Sequence, residues 1–414
     1  MSRRVVITGI GTVNPLGNNT QDFWKNIQNV ENGIDQVTKF DASPFKCTIG
    51  GMVKDFDPEK YISRKEARRM DSFTLFSLIS AMEAFEDSGL IKDNLNPEKI
   101  GVILGNGIGG IETLAAQVEK LKDVGPRGIH PLFIPKMISN IGPGNIAIKL
   151  NAHGPCYTVV TACSSGTDAI GGAMKWIKEG VTDIMIAGGS EAPFHPVALG
   201  GFCALQALST RYNDTPEKAS RPFDKDRDGF VMSEGSGMII LEEMEHALKR
   251  GAKIYVELGG YGVSCDAHHL TAPHPEGRGA ISAIKMAIQT SGLKPEDIDY
   301  INAHGTSTPI NDPTETKAIK IVFGEHAKKL KISSTKSMTG HLLGGAGGVE
   351  AVLCALAIKD QYFPATRNLD EPDPECDLDY VPNKGMKGTI RAAISNSLGF
   401  GGHNGILCFK KFEK

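Results

Sequence analysis

Cys163 stands in the run Thr161-Ala162-Cys163-Ser164-Ser165-Gly166, after the β-branched Val159-Val160 and before the helix-compatible Ala173-Met174-Lys175-Trp176. This order predicts a strand, a tight elbow and a helix, with small neighbours that let the backbone turn and leave room beside the sulfur. At a helix N-terminus, unpaired N–H groups and the positive end of the helix dipole favour a thiolate, so a depressed thiol pKa is expected there. A free cysteine among small residues is usually just packed. Two histidines tip the balance. His304 closes the strand-like Ile301-Asn302-Ala303 and opens the polar turn Gly305-Thr306-Ser307-Thr308-Pro309; His341 lies between Ser333–Gly340 and the glycine-lined Leu342–Gly348. Strand ends of α/β sheets are where sites assemble. Two histidines in such settings favour Cys163 as a nucleophile over a merely packed thiol. His268, His269, His274 and His403 lack such a setting and read as structural hydrogen-bonders.

The elements that would position these groups repeat. Ile79-Ser80-Ala81, Ser88-Gly89-Leu90 and Pro97-Glu98-Lys99-Ile100 recur in the same order as Ile281-Ser282-Ala283, Ser291-Gly292-Leu293 and Pro295-Glu296-Asp297-Ile298. Each copy reads as helix, loop, strand. The strand ends also align, IGVILGNG (100–107) with IDYINAHG (298–305), which sets Asn106 opposite His304. An α/β chain built by duplication follows, with an N-terminal half over 1–253 carrying the nucleophile and a C-terminal half over 254–414 carrying both histidines. Forty-eight glycines, clustered after apolar runs, are the punctuation such a fold needs. The charged stretch from Tyr212 to Gly229 reads as a surface excursion. Its Asp224-Lys225-Asp226-Arg227-Asp228-Gly229 imitates the start of a calcium loop, but the twelfth position is Gly235 where a glutamate is needed.

At 414 residues the chain exceeds what one hydrophobic core serves. With 40% hydrophobic and 22% charged residues, no bilayer-length apolar run and a formal charge of -3, neither a membrane-spanning nor a nucleic-acid-binding role is expected. The eight cysteines are scattered, with no CxxC pair, so neither a zinc site nor a disulfide framework is suggested. Met1-Ser2-Arg3-Arg4 runs straight into Val5-Val6-Ile7-Thr8 without the core of a signal peptide, which predicts a cytoplasmic protein.

Beside the cysteine motif stand Asn302-Ala303-His304-Gly305-Thr306-Ser307-Thr308, Lys336-Ser337-Met338-Thr339-Gly340-His341 and Asn396-Ser397-Leu398-Gly399-Phe400-Gly401-Gly402-His403-Asn404. In this order they resemble the elongating β-ketoacyl-acyl-carrier-protein synthases, close to the synthase II group of bacterial fatty-acid synthesis, across essentially the whole chain. The resemblance implies a thiolase-type fold, with two βαβαβαββ-like halves in five αβαβα layers, and a homodimer. It implies acyl transfer to Cys163 and decarboxylation of a malonyl thioester beside His304 and His341, with substrates carried on the 4′-phosphopantetheine of acyl carrier protein and no further cofactor. Backbone N–H groups at Cys163 and Phe400 would form an oxyanion hole, Phe400 would gate the site, and Lys336 with Glu350 would support the histidines. Ile108 and Phe202 would line the acyl chain, with Phe133 reaching across the dimer. Thr306, Thr308 and Thr271 would hold the pantetheine. Lys65, Arg68 and Arg69, at helical spacing, and Arg127 would meet the acidic carrier protein. Gly128 and Gln206 depart from some relatives, which carry basic residues there. No catalytic metal is implied, while Asn302 and Glu350 are candidates for holding a structural monovalent cation. A polyketide ketosynthase and a cysteine thioester hydrolase are the competing readings.

Overall fold

The computed structural model describes residues 3–413. Met1 and Ser2, where the leaderless reading begins, lie outside them. Ten strands form one sheet: β1 (Val5–Val13), β2 (Ile100–Gly105), β3 (Cys156–Val159), β4 (Ile184–Glu191), β5 (Gly235–Glu243), β6 (Val256–Cys265), β7 (Tyr300–Asn302), β8 (Lys331–Ser333), β9 (Ala392–Gly399) and β10 (His403–Lys411). Their spatial order is β8-β7-β9-β10-β6-β1-β5-β4-β2-β3. The first five strands, counted within their half, run 3-2-4-5-1, and so do the last five. Strand senses match as well: β2 is parallel to β3 and β4, β7 is parallel to β8 and β9, and the remaining pairs are antiparallel. The halves meet where β1 pairs with β6, at Val6 opposite Glu257 and Ile7 opposite Val256.

Hydrophobic pattern explains the layers. The helix Ala346–Asp360 is buried on every side from Ala346 to Ile358, as a helix without a polar face must be. It packs against β4 and β5 in one half and against β9 and β10 in the other. Ser165–Lys178 lies beside it and touches strands of both halves. Glycine lets the central layer close: a Cβ on Gly348 would lie 2.2 Å from the Gly237 carbonyl oxygen, and one on Gly347 2.2 Å from Thr167 Oγ1. Other helices cover the outer faces of the sheet. Ser72–Asp87 and Ile141–Leu150 cover the first half, and Arg278–Ser291 covers the second through Ala280, Ala283, Ile284, Ala287 and Ile288. With Asn311–Phe323 added, these helices are, in chain order, α1 (Ser72–Asp87), α2 (Ile141–Leu150), α3 (Ser165–Lys178), α4 (Arg278–Ser291), α5 (Asn311–Phe323) and α6 (Ala346–Asp360). The two halves of the continuous sheet lie on either side of α3 and α6, so helix, half-sheet, α3 with α6, half-sheet, helix gives the five layers expected.

One expectation fails. The stretch 212–229 is not wholly a surface excursion, because Arg221, Phe223, Asp224 and Arg227 are buried. The charges satisfy one another: Arg221 Nε donates to Asp224 at 2.9 Å, and Arg227 reaches Asp373 at 2.6 Å and Asp312 at 3.8 Å. Pairing offsets part of the cost of taking these charges out of water. Among the described residues no helix is long and apolar enough to cross a membrane.

Candidate active site

Beyond β3 the chain turns at Thr161-Ala162, makes one tight turn over Ala162–Ser164 and enters α3, leaving Cys163 buried at the elbow. Ala162 takes a left-handed φ of 51°. Hydrogen bonds enforce it: the Thr161 N–H donates to Ser165 Oγ at 2.9 Å, and Ser165 Oγ donates to the Ala162 carbonyl at 2.7 Å. The loop after β9 packs on this elbow because Gly399 has no side chain; a Cβ there would sit 2.9 Å from the Thr161 oxygen and 3.1 Å from the Cys163 nitrogen. Phe400 follows, flanked by Gly401 and Gly402 at φ 83° and 76°.

His304 sits in the turn after β7. Its own N–H and that of Gly305 each donate to the Glu315 carboxylate of α5 at 2.8 Å, and Asn396 Nδ2 adds a third bond at 3.0 Å. His341 is tied by its N–H to the Val231 carbonyl at 2.7 Å, while its Nδ1 accepts the Leu343 N–H at 3.3 Å. That bond puts the imidazole proton on Nε2, which is buried and has no protein partner. The two rings meet edge to face, centroids 5.3 Å apart, and one donor atom from each of Cys163, His304 and His341 lies within 4.8 Å of the others.

Electrostatics separates the imidazoles from the thiol. Burial, then the Lys336 ammonium, holds both histidines well below the usual imidazole range, so both rings are neutral. Burial also pushes the Cys163 thiol up to about 11, against the pull of Lys336 and the Phe400 N–H. The depressed thiol expected from the helix terminus is therefore not what the resting site holds, because desolvation outweighs the terminus. Lys336 pairs with Glu350, both buried, and burial raises the Glu350 carboxyl to about 7. Three clustered S and N donors are a set that zinc accepts, but a divalent ion would face the Lys336 ammonium, whose field already acts on all three. Elsewhere, Asn302 Oδ1, Glu350 Oε2 and Ser395 Oγ are buried without partners, and Asn302 and Ser395 are opposite each other in the β7–β9 register.

A cavity of about 430 Å³ opens on the three groups. Ile108, Phe202 and Phe400 line it, as do Thr271, Thr306 and Thr308. Gln206 lies on its wall too. Phe133 lies elsewhere, in a shallower depression with Arg68, Lys120 and Lys136. The helix beneath the basic patch is a single turn, Arg64–Ala67, so Arg68 caps it and Arg69 follows it; helical spacing does not extend through all three. Lys65, Arg68, Arg69 and Arg127 are all exposed, and among the described residues none forms an ion pair.

Residues 2–247 match the family description "Beta-ketoacyl synthase, N-terminal domain", and residues 255–370 match "Beta-ketoacyl synthase, C-terminal domain". The chain belongs to the beta-ketoacyl synthase family. It is 54% identical to a 3-oxoacyl-[acyl-carrier-protein] synthase 2 of Synechocystis over 411 residues, 99% of each chain. It is 50% identical to the enzyme of that name from Staphylococcus aureus over 412 residues, covering 100% of this chain and 99% of the relative. Among solved structures, a chain of AntDE:AntF, described as a type II PKS acyl-carrier protein in complex with its ketosynthase bound to the hexaketide, superposes at a TM-score of 0.91 with 36% identity and complete coverage of both.

This beta-ketoacyl synthase carries groups at its site that motif reading passed over. Glu315, in Asn311-Asp312-Pro313-Thr314-Glu315, carries no sequence signal beyond that of an acidic residue near a helix start. Glu191, at the end of β4, lies against the cavity and accepts from the N–H groups of Gly107 at 2.8 Å, Ile108 at 3.1 Å and Gly344 at 3.0 Å. A carboxylate ending an otherwise apolar, buried strand was the available signal. Ser395 had none, since a serine in a strand is unremarkable until its neighbour Asn302 is known.

Proposed function

We propose that the chain is a 3-oxoacyl-[acyl-carrier-protein] synthase of fatty-acid elongation. Cys163 takes an acyl chain from acyl carrier protein, and the acyl-enzyme condenses with malonyl carrier protein, giving a 3-oxoacyl thioester two carbons longer and carbon dioxide. The observation that carries this reading is the convergence of one thiol and two neutral imidazoles within 4.8 Å at an apolar cavity.

The Cys163 sulfur attacks the acyl thioester as its proton passes to the departing pantetheine sulfur, and the tetrahedral oxyanion accepts from the N–H groups of Cys163 and Phe400. Malonyl then loses carbon dioxide. The electron pair of the broken bond becomes an enolate, whose oxygen accepts from the His341 Nε2–H and from His304. Neutral rings suit this task, since they donate without neutralising the enolate by proton transfer. The enolate carbon attacks the Cys163 thioester, the sulfur departs as thiolate, and a proton taken up from solvent water restores the thiol. Burial keeps the rings neutral, and Lys336, held by Glu350, adds to that effect. No step needs a redox or metal cofactor.

Carrier-protein docking is assigned to Lys65, Arg68, Arg69 and Arg127, unpaired cations suited to an acidic partner. Thr271, Thr306 and Thr308 receive the pantetheine, and Ile108 and Phe202 the acyl chain. The halves 1–253 and 254–414 are taken as duplicated units, supported by their common strand order. A homodimer would cover β3, the edge strand whose Cys156 and Tyr157 are exposed, and would bring Phe133 to the partner's cavity. Asn302, Glu350 and Ser395 are assigned to a structural monovalent cation. Eight free cysteines favour the reducing cytoplasm.

Incubation with acyl and malonyl carrier thioesters, followed by mass analysis, tests the reading. A product two carbons longer supports it, while free acid alone identifies a hydrolase. Cys163→Gln should abolish condensation yet leave malonyl decarboxylation. His341→Ala should slow decarboxylation about a hundredfold; an unchanged rate removes His341 from the charge-stabilising role. A polyketide ketosynthase remains the second reading because of the 36% identical ketosynthase assembly. Repeated condensation of one chain without reduction between rounds would select it.

A further inference from the structure

The strained backbone at Ala162 decides where the Cys163 sulfur points, and a non-glycine residue stays in that conformation only where its surroundings enforce it. Asp168, in the first turn of α3, accepts at one carboxylate oxygen from Thr161 Oγ1 at 2.6 Å and Ser164 Oγ at 2.8 Å. One oxygen therefore ties the residue before Ala162 to the residue after Cys163. Its other oxygen accepts from the Tyr261 hydroxyl at 2.7 Å, and Tyr261 belongs to β6 in the opposite half of the sheet. The tyrosine ring reaches this position across Gly171, where a Cβ would lie 2.4 Å from it. Asp168 is only 7% exposed and, among the described residues, has no basic partner. A buried carboxylate held by three hydroxyls is a costly way to fill space, since an apolar side chain of the same size would pack as well. Burial and the nearby Asp168 keep the Tyr261 hydroxyl protonated, so it remains a donor throughout the working pH range.

We propose that Asp168 and Tyr261 are positioning residues, a clamp between the two halves that fixes the Cys163 elbow for acyl transfer and plays no part in decarboxylation. The inference rests on Cys163 as the acyl acceptor. The enolate-stabilising groups hang from other supports, His304 from Glu315 and His341 from Val231 and Leu343. Loosening the elbow should therefore separate the two half-reactions, which a general loss of stability would not do.

The test compares Asp168→Asn and Tyr261→Phe with the unsubstituted enzyme in three measurements: single-turnover acylation of Cys163 by acyl carrier thioester, KM for that thioester, and malonyl decarboxylation. Asp168→Asn turns an amide N–H2 toward donors on one side or the other, and acylation should fall about thirtyfold with KM little changed. Tyr261→Phe, the milder change, should lower it about fivefold. Decarboxylation should stay within about twofold in both. Equal falls in both half-reactions, or acylation at the original rate, would overturn the clamp. If the unsubstituted enzyme is not acylated on Cys163, the nucleophile assignment fails and the clamp with it.

Discussion

The turn that follows β2 and the turn that follows β7 occupy matching places in the two halves, and each hangs from a buried carboxylate. In the first half Glu191 comes from the adjacent strand and gathers the N–H groups of Gly107, Ile108 and Gly344, with Asn106 Nδ2 at 3.2 Å. In the second, Glu315 comes from a helix and gathers those of His304 and Gly305, with Asn396 Nδ2. The device is shared; what it presents differs. One turn offers Ile108 to the cavity, the other an imidazole. Chemistry in this fold thus depends on a few side chains at turns whose backbone is fixed by the same means in both halves.

If the comparison holds, the largest effect comes from cutting the second support. Glu315→Ala leaves two backbone N–H groups without an acceptor and frees the His304 turn. A displacement of about 1 Å at a reacting group costs on the order of a hundredfold, so malonyl decarboxylation should fall by about that factor. Glu315→Gln keeps one acceptor oxygen and should fall less. A decarboxylation rate unmoved by Glu315→Ala would break the comparison, because the turn would then need no anchor.

Cutting the first support should cost less, since no reacting side chain hangs from it. Glu191→Ala should slow acylation about tenfold and shift the longest chain accepted, as read from product masses across acyl lengths. Decarboxylation should fall less than acylation, because Gly344 lies three residues beyond His341, which has its own anchors. An unaltered chain-length profile would show that Ile108 is held by its packing alone.

The four motifs and the repeated helix–loop–strand series were readable in sequence because each is a local signal: glycine placement, strand alternation, a reactive residue at a strand end. They led to Cys163, His304 and His341 and to the duplicated architecture. What stayed hidden was non-local. The Glu315 and Glu191 supports join segments about eleven and eighty residues apart, and an acidic residue at a helix start or strand end is too common to betray its partner. Arg221 and Arg227 misled for the same reason, since a charged stretch reads as surface until the buried carboxylates that receive it are known. The Cys163 thiol was misjudged because a helix terminus is visible in sequence and the depth of burial is not.

The smallest effect concerns charge. Burial raises the Glu191 carboxyl from 4.5 to about 7, against the four N–H groups that favour its anion. A carboxyl whose native pKa lies above its unfolded value binds its proton more tightly in the folded protein. Its contribution to stability is fully present below the unfolded value and is lost as pH rises through about 7. Glu191→Gln cannot titrate, so the melting-temperature advantage of the unsubstituted protein over this variant should shrink by a few degrees between about pH 5 and about pH 8. Glu350, raised to about 7 by the same cause, is present in both proteins and cancels in the difference. A difference independent of pH would mean that the four donors hold Glu191 ionised throughout, so that its support of the turn is purely one of hydrogen bonding.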